Sequence, residues 1–392
     1  MAPPESDRGS DRERLMKIFH LFANHKFTGP ADLAMVMASG QQHAGADVCF
    51  ISSTHPKVEN TVEQMAASRG LKTRTGLRLG KHLQPVSLYS DVNRLGRWID
   101  EEKPDFLHCH LDGDHLLACI CATRAPVRVI RSSYQLDPPT GWRGSWLARH
   151  TYLWLPPTVE AERCLIARHP AAGGKTRVTA PAVDLERFQP AAVDAKRGLD
   201  APIVIGVVAR MQRHRRFPDL IEAFATAAAR EPRLRLEILG RGTHQDEVAR
   251  APAARTGLGD RIRFGGYVDP ESYPQHLSSF DMLVFLVPGS DGTCRAAREA
   301  LSCGVPVIAS RRGLLPELIP ANSGILLQNE ATETLSEAML GLARDPHRRQ
   351  QMARNAREHA IETFDAGVLA TTLVSELTDV IGPGDGPILQ NR

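Results

Sequence analysis

The chain has 392 residues, a formal net charge of +3, and 42% apolar and 24% charged residues. That length suits two ordinary domains, each able to bury its own core, and the composition is that of a soluble globular protein. So small a charge gives nucleic-acid binding no support, the seven cysteines carry no CxxC metal pattern, and no apolar run reaches transmembrane length.

Residues 1–14 are polar, lack the apolar segment of a signal peptide and read as disordered. The cysteines then read as reduced thiols of a cytoplasmic protein, and any membrane role would be peripheral contact at the inner face. From Leu15 short apolar runs alternate with helical patterns. Strands are expected at Met16–Phe22, Asp47–Ile51, Asp105–Cys109 and Val127–Ile130. Helices are expected at Pro30–Gln42, Asn60–Ser68, Val92–Glu101 and Gly113–Thr123. Thr28 or Gly29 can cap the first helix, with Pro30 at its first position. The stretch Ala180–Ala201, with Pro181, Pro190 and Pro202 at its end, reads as a linker.

The alternation then restarts. Ile203–Ala209, Leu234–Leu239, Ile262–Phe264, Met282–Leu286 and Val305–Ala309 read as strands. Asp219–Arg230, His244–Ala254, Thr293–Cys303, Thr332–Leu342, His347–Glu362 and Val368–Val380 read as helices. The fold class is α/β, with a first domain over 15–195, a second over 196–365 and a final segment over 366–392. Two doubly wound domains facing each other bind ligands at the carboxyl ends of their strands, so the cleft between them is the expected site.

Four strand-to-helix loops of the second half carry features suited to a nucleotide diphosphate. Arg210 and Arg215 lie on a basic loop after a strand, where planar guanidinium groups can fork onto diphosphate oxygens, although a solvated basic turn reads equally well. Gly240-Arg241-Gly242 would let backbone approach a phosphate, or would simply turn the chain. Phe264-Gly265-Gly266-Tyr267-Val268 offers a backbone edge to a base, or again a glycine turn. The stretch Asp291 to Glu299 places two carboxylates eight positions apart, about 12 Å along a helix. That exceeds the roughly 5–9.5 Å separation of paired glycosidase acids and suits a grip on both ends of one extended ligand. The plain alternatives are a cap at Asp291 and an i,i+4 pair between Arg295 and Glu299. Arg295 and Arg298 sit near the positive end of that helix, a cost that Asp291 or a bound anion would offset.

These motifs resemble the retaining glycosyltransferases of family 4, of GT-B fold, from Lys17 to about Phe364. The resemblance rests on Arg210–Arg215 with Leu220-Ile221-Glu222-Ala223-Phe224, on Leu239–Gly242, on Asp260–Val268 and on Phe280–Phe285. It continues through Asp291–Ala309, which stands where the family has a Glu–x7–Glu pair, and Leu315–Ile319. In the first half Lys103–His110 and Val183–Pro190 also look family-like. The resemblance implies an N-terminal acceptor domain, a C-terminal donor domain and a last helix crossing back to the first domain. It implies that Glu299 holds ribose hydroxyls and that Asp291 contacts the donor sugar. Backbone of Gly292, Thr293, Cys294 and Arg295 would touch sugar and phosphate, beside Gly240, Gly242 and Val268. Arg210 and Arg215 would stabilise the leaving diphosphate. It implies a UDP- or GDP-sugar donor, a sugar or lipid-linked acceptor in cell-surface glycan synthesis, and no metal or other cofactor.

The sequence departs from that pattern at Asp291 in place of Glu, at Thr293-Cys294 and at Arg215 in place of Lys. On the acceptor side the glycine loop keeps only Gly29, and Ser132 stands nearest to a frequent family histidine. His110 follows a strand and either faces the cleft or is a satisfied structural histidine. Trp142, Trp146 and Trp154, with Arg143 and Arg149, form either a membrane or acceptor platform or an aromatic helix packed on the first domain. A sugar-nucleotide epimerase or hydrolase of the same fold, and a non-catalytic nucleotide-sugar binder, are the alternative functions.

Overall fold

The computed structural model describes residues 15–55, 59–79, 85–191, 200–288 and 292–381. The expected disordered stretch 1–14, residues 192–199 of the expected linker, Asp291 and the tail 382–392 lie outside the described residues.

The first half contributes strands β1 (Lys17–Phe22), β2 (Asp47–Ser52), β3 (Lys72–Arg74), β4 (Phe106–Cys109), β5 (Arg128–Ser132) and β6 (Leu153–Leu155). Between them run helices α1 (Gly29–His43), α2 (Thr61–Ser68), α3 (Pro85–Glu102), α4 (Asp112–Ala122) and α5 (Gly141–His150), and α6 (Val159–Arg168) follows β6. The sheet order is β3-β2-β1-β4-β5-β6, with every neighbour parallel. β1 and β2 are buried at five of six positions, as strands covered on both faces must be.

The second half repeats the plan with β7 (Ile203–Val208), β8 (Leu234–Leu239), β9 (Ile262–Gly266), β10 (Met282–Phe285), β11 (Val307–Ala309) and β12 (Gly324–Leu326). Its helices are α7 (Phe217–Arg230), α8 (Ala251–Arg255), α9 (Tyr273–Ser278), α10 (Arg295–Ser302), α11 (Leu315–Leu318), α12 (Thr332–Arg344) and α13 (Pro346–Phe364). The order β12-β11-β10-β7-β8-β9 is again all parallel. Each sheet therefore reverses its winding once, between β1 and β4 and between β7 and β10. Two Rossmann-like domains of this kind make the GT-B fold. Gly206 is required in β7, because a Cβ there would meet the Phe280 ring at 1.9 Å.

The last helix, α14 (Ala366–Ile381), packs on α1 of the first domain. Gly40 makes that seam possible, since a Cβ on it would lie 2.6 Å from the Ala370 Cβ. Arg177, in the segment after α6, also ties α14 to the first domain through an ion pair with Glu376.

Several details differ from the sequence reading. β3, β6, β12 and α9 are too short to give a periodic signal. The helix expected over His244–Ala254 is a wide five-residue turn, Asp246–Arg250, followed by α8. Pro252 lacks an amide donor and its ring crowds the preceding turn, which widens in response. Trp154 is core in β6 and 1% exposed, whereas Trp142 is 80% exposed, so the three tryptophans form no common platform. α10 begins at Arg295 rather than Thr293, because Cys294 adopts the left-handed conformation at φ 47°. At its other end Gly304, at φ 67°, closes the helix: its amide donates to Leu301 O (3.0 Å), and that of Val305 to Ala300 O (2.8 Å).

Candidate functional site

The two winding reversals face each other across one cleft of about 3070 Å³. This exceeds the roughly 300–1,000 Å³ of a single small-molecule pocket and leaves room for two substrates. The loop after β1 and the start of α1, with Thr28, Gly29 and Asp32, line one wall together with His110 and Tyr134. The loops after β7, β8, β9 and β10 line the other, through Arg210, Arg215, Gly240, Val268, Thr293, Cys294 and Arg295.

Glu299 sits on the cleft side of α10 and is 3% exposed. Its Oε2 accepts from the Tyr273 hydroxyl at 2.9 Å, and its Oε1 from Arg295 Nε at 2.6 Å. Arg295 also reaches across the cleft to Asp32 on α1, at 3.2 Å. Asp32 is paired with Arg69 as well. Burial works against the Asp32 carboxylate, but Arg295 and Arg69 hold it below the usual range. Burial, then Glu299, pushes the Tyr273 phenol well above its ordinary value. The i,i+4 pair expected from the sequence is thus part of a half-buried bridge between the two domains, and Asp32 offsets Arg295 at the helix start.

Arg298 is 1% exposed and anchors the α10 entry to the interdomain crossing. It donates to the carbonyls of Thr293 (3.0 Å), Pro181 (2.7 Å) and Ala182 (3.0 Å). Gly292, at φ 70°, packs so closely on the first domain that a Cβ would meet Tyr134 O at 2.8 Å. Arg215 donates to Val287 O at 2.5 Å, which fixes the basic loop to the end of β10. In Gly240-Arg241-Gly242 both glycines answer to crowding. A Cβ on Gly240 would lie 2.3 Å from Ala209 O, and one on Gly242 2.0 Å from Met211 O. Gly240 lines the cleft; Gly242 supports the basic loop from behind.

On the first domain, Asp114 at the start of α4 gathers the ends of β1 and β4. Its carboxylate accepts from the amides of Ala23 (2.8 Å), His110 (3.0 Å) and Leu111 (2.9 Å). Burial pushes this carboxyl up to about 7, against Arg131 and those donors. Ser132 does not face the cleft. It turns into the sheet and bonds His108 Nε2 at 2.8 Å, while Ser133 and Tyr134 take the lining positions. The reason is strand alternation: Ser132 ends β5 on its buried side. His110 is 1% exposed and fully engaged, with Nδ1 2.6 Å from the Tyr134 hydroxyl and Nε2 3.0 Å from His20 Nδ1. Sequence reasoning missed Tyr273, Asp32 and Asp114. Only the last two carried a signal, as acids in the first turn of a helix.

Residues 192–359 match the family model "Glycosyl transferases group 1", and residues 28–160 match "Glycosyl transferase 4-like domain". A D-inositol 3-phosphate glycosyltransferase of Saccharomonospora viridis is 32% identical over 227 residues, 52% of this chain and 49% of the relative. A GDP-mannose-dependent phosphatidylinositol monomannoside mannosyltransferase of Corynebacterium glutamicum is 28% identical over 210 residues, 50% of this chain and 54% of that protein. The chain spans about half the length of the curated relatives it matches. Among solved structures, HepE of Anabaena in complex with UDP superposes with a TM-score of 0.75 at 18% identity, over 93% of this chain and 100% of that one. A glycosyltransferase of Rickettsia africae does so with a TM-score of 0.77 at 13% identity, over 94% and 100%. With both halves matched by family models and both sheets wound alike around one cleft, the chain belongs to the group 1 glycosyltransferases of GT-B fold.

Proposed function

We propose that this protein is a retaining glycosyltransferase that moves a sugar from a UDP- or GDP-sugar to a sugar or lipid-linked acceptor, in the cytoplasm at the inner face of the membrane, for a cell-surface glycan. The observation that carries the reading is the buried Glu299 carboxylate at the second domain's winding reversal, with Arg210, Arg215 and Arg295 lining the same cleft. The domains divide as donor over 196–365 and acceptor over 15–195, with α14 (Ala366–Ile381) returning to the acceptor side.

Glu299 accepts from the ribose hydroxyls in place of its Arg295 bond, and Tyr273 keeps the carboxylate oriented. Arg210 and Arg215 face the diphosphate, whose charge grows as the bond from the sugar carbon to the phosphate oxygen breaks. The acceptor hydroxyl attacks from the same face and passes its proton to a donor phosphate oxygen. No protein nucleophile is needed. Asp291, Gly292, Thr293 and Cys294 meet the sugar, and Gly29 and His110 lie on the acceptor side. The guanidinium groups take the part that a divalent cation plays elsewhere on a diphosphate, so turnover is expected to be the same with and without added Mg2+ or Mn2+.

HepE of Anabaena was solved with UDP-glucose, and the relatives named above act on inositol phosphate and phosphatidylinositol mannoside. These define the first donors and acceptors to test. The experiment is nucleotide release from a panel of UDP- and GDP-sugars with those acceptors, followed by NMR of the product's anomeric proton. A product with the donor's anomeric configuration supports the reading. An inverted product sinks the retaining mechanism, and epimerised or hydrolysed sugar without transfer sinks the transferase.

A further inference from the structure

Three histidines meet inside the first domain, at the carboxyl ends of β1 and β4. His20 and His108 are register partners on these neighbouring strands, and His110 lies two residues beyond His108 on the same face. Ring centroids are 4.6 Å apart for His20 and His108, 4.7 Å for His108 and His110, and 5.2 Å for His20 and His110. One ring nitrogen of each lies within 4.8 Å of one from each of the others. All three rings are at most 1% exposed.

Each ring is held from outside by one nitrogen. His20 Nε2 is 2.7 Å from Gln41 Oε1, His108 Nε2 is 2.8 Å from Ser132 Oγ, and His110 Nδ1 is 2.6 Å from the Tyr134 hydroxyl. That is the outer-partner pattern of metal-binding histidines, in which the second nitrogen is fastened and the first left to the metal. The remaining nitrogens are His20 Nδ1 and His110 Nε2, 3.0 Å apart, and His108 Nδ1, which is buried without a hydrogen-bond partner. Ligand nitrogens around tetrahedral zinc stand about 3.3 Å apart at Zn–N distances of about 2.0–2.1 Å, so small ring shifts suffice. A purely structural hydrogen-bond chain accounts for His20 and His110. It leaves His108 Nδ1 unsatisfied in the core, which ordinarily costs about 1–3 kcal/mol.

We propose that His20, His108 and His110 form a three-histidine site for a borderline divalent transition metal, Zn2+ foremost, that fixes the floor of the acceptor-side wall. Neutral imidazoles suit Zn2+, Cu2+, Ni2+ or Co2+ and not Mg2+ or Ca2+. Of the three, His110 lines the cleft. It stands apart from the residues proposed for the donor diphosphate and does not depend on sugar transfer.

The test uses the full chain without a histidine tag, stripped with a chelator and titrated with Co2+. One equivalent should bind with the intense visible bands of tetrahedral cobalt, and Zn2+ should displace it. His108→Gln should abolish those bands, and Gln41→Ala should weaken binding roughly 10- to 100-fold through the lost outer partner. His25→Gln and His55→Gln, which alter a neighbouring pair at the cleft with rings 5.4 Å apart, should leave the bands unchanged. Where His108→Gln fails to fold, the wild-type spectrum and Gln41→Ala still decide. No uptake by the stripped wild type, octahedral-type absorption only, or bands lost with His25→Gln and kept with His108→Gln would each overturn the proposal.

Discussion

Glu299 and Arg295 show how a spacing becomes a site. Four positions apart, they promise only a few tenths of a kcal/mol on an exposed helix. Here Glu299 is buried, Arg295 half-buried 2.6 Å away, and the pair is shared with Tyr273 and with Asp32 of the other domain. Glu299→Ala is expected to weaken donor binding by about 1.5–3 kcal/mol, roughly 10- to 150-fold, as hydrogen bonds to a charged group are lost. Calorimetry with the nucleotide sugar checks this; unchanged affinity would refute the ribose role. Asp291→Glu should alter the ranking of donor sugars more than affinity for the free nucleotide, and an equal loss for both would count against a sugar contact. The cleft positions of Glu299, Arg210 and Arg215 were legible because each lies on the loop or helix that follows a buried strand. Tyr273 was not, because α9 is only six residues long and nothing local ties a tyrosine to a carboxylate 26 positions on. Ser132 misled because adjacent strand residues face opposite ways.

At the level of elements, long buried strands and amphipathic helices read out from periodicity, whereas three-residue strands such as β3 and β6 form because neighbours pair with them. The start of α10 was misplaced by two residues because a cysteine at φ 47° breaks no composition rule. The α14–α1 seam is a tertiary fact, carried by Gly40 and by the core residues Leu373 and Leu377. Leu373→Ala should cost about 2–5 kcal/mol by cavity formation. Gly40→Val should cost about 1–3 kcal/mol by overpacking against Ala370. Urea denaturation measures both, and values near zero would show that the last helix contributes little to the first domain.

Across the whole molecule, Asp32 ties the two walls of the cleft together. The charged groups facing it are Arg295, Arg69 and Arg187. Its folded-state pKa lies below the unfolded value near 3.8, so its stabilisation is full above that value and is lost as pH falls through the lowered one. Asp32→Ala should therefore cost about 3–5 kcal/mol near neutral pH, with a smaller penalty in acid, as urea titrations across pH will show. A penalty that does not shrink in acid would show that the carboxylate's charge is not what matters.

The central claim is that the cleft binds a nucleotide sugar through α10 and the loops beside it. Calorimetric titration of the full chain with UDP- and GDP-sugars tests it most directly. The account predicts saturable one-to-one binding of at least one donor, weakened roughly 10- to 150-fold in Glu299→Ala. Absence of heat and of thermal stabilisation with every nucleotide sugar, from a folded protein, would contradict it.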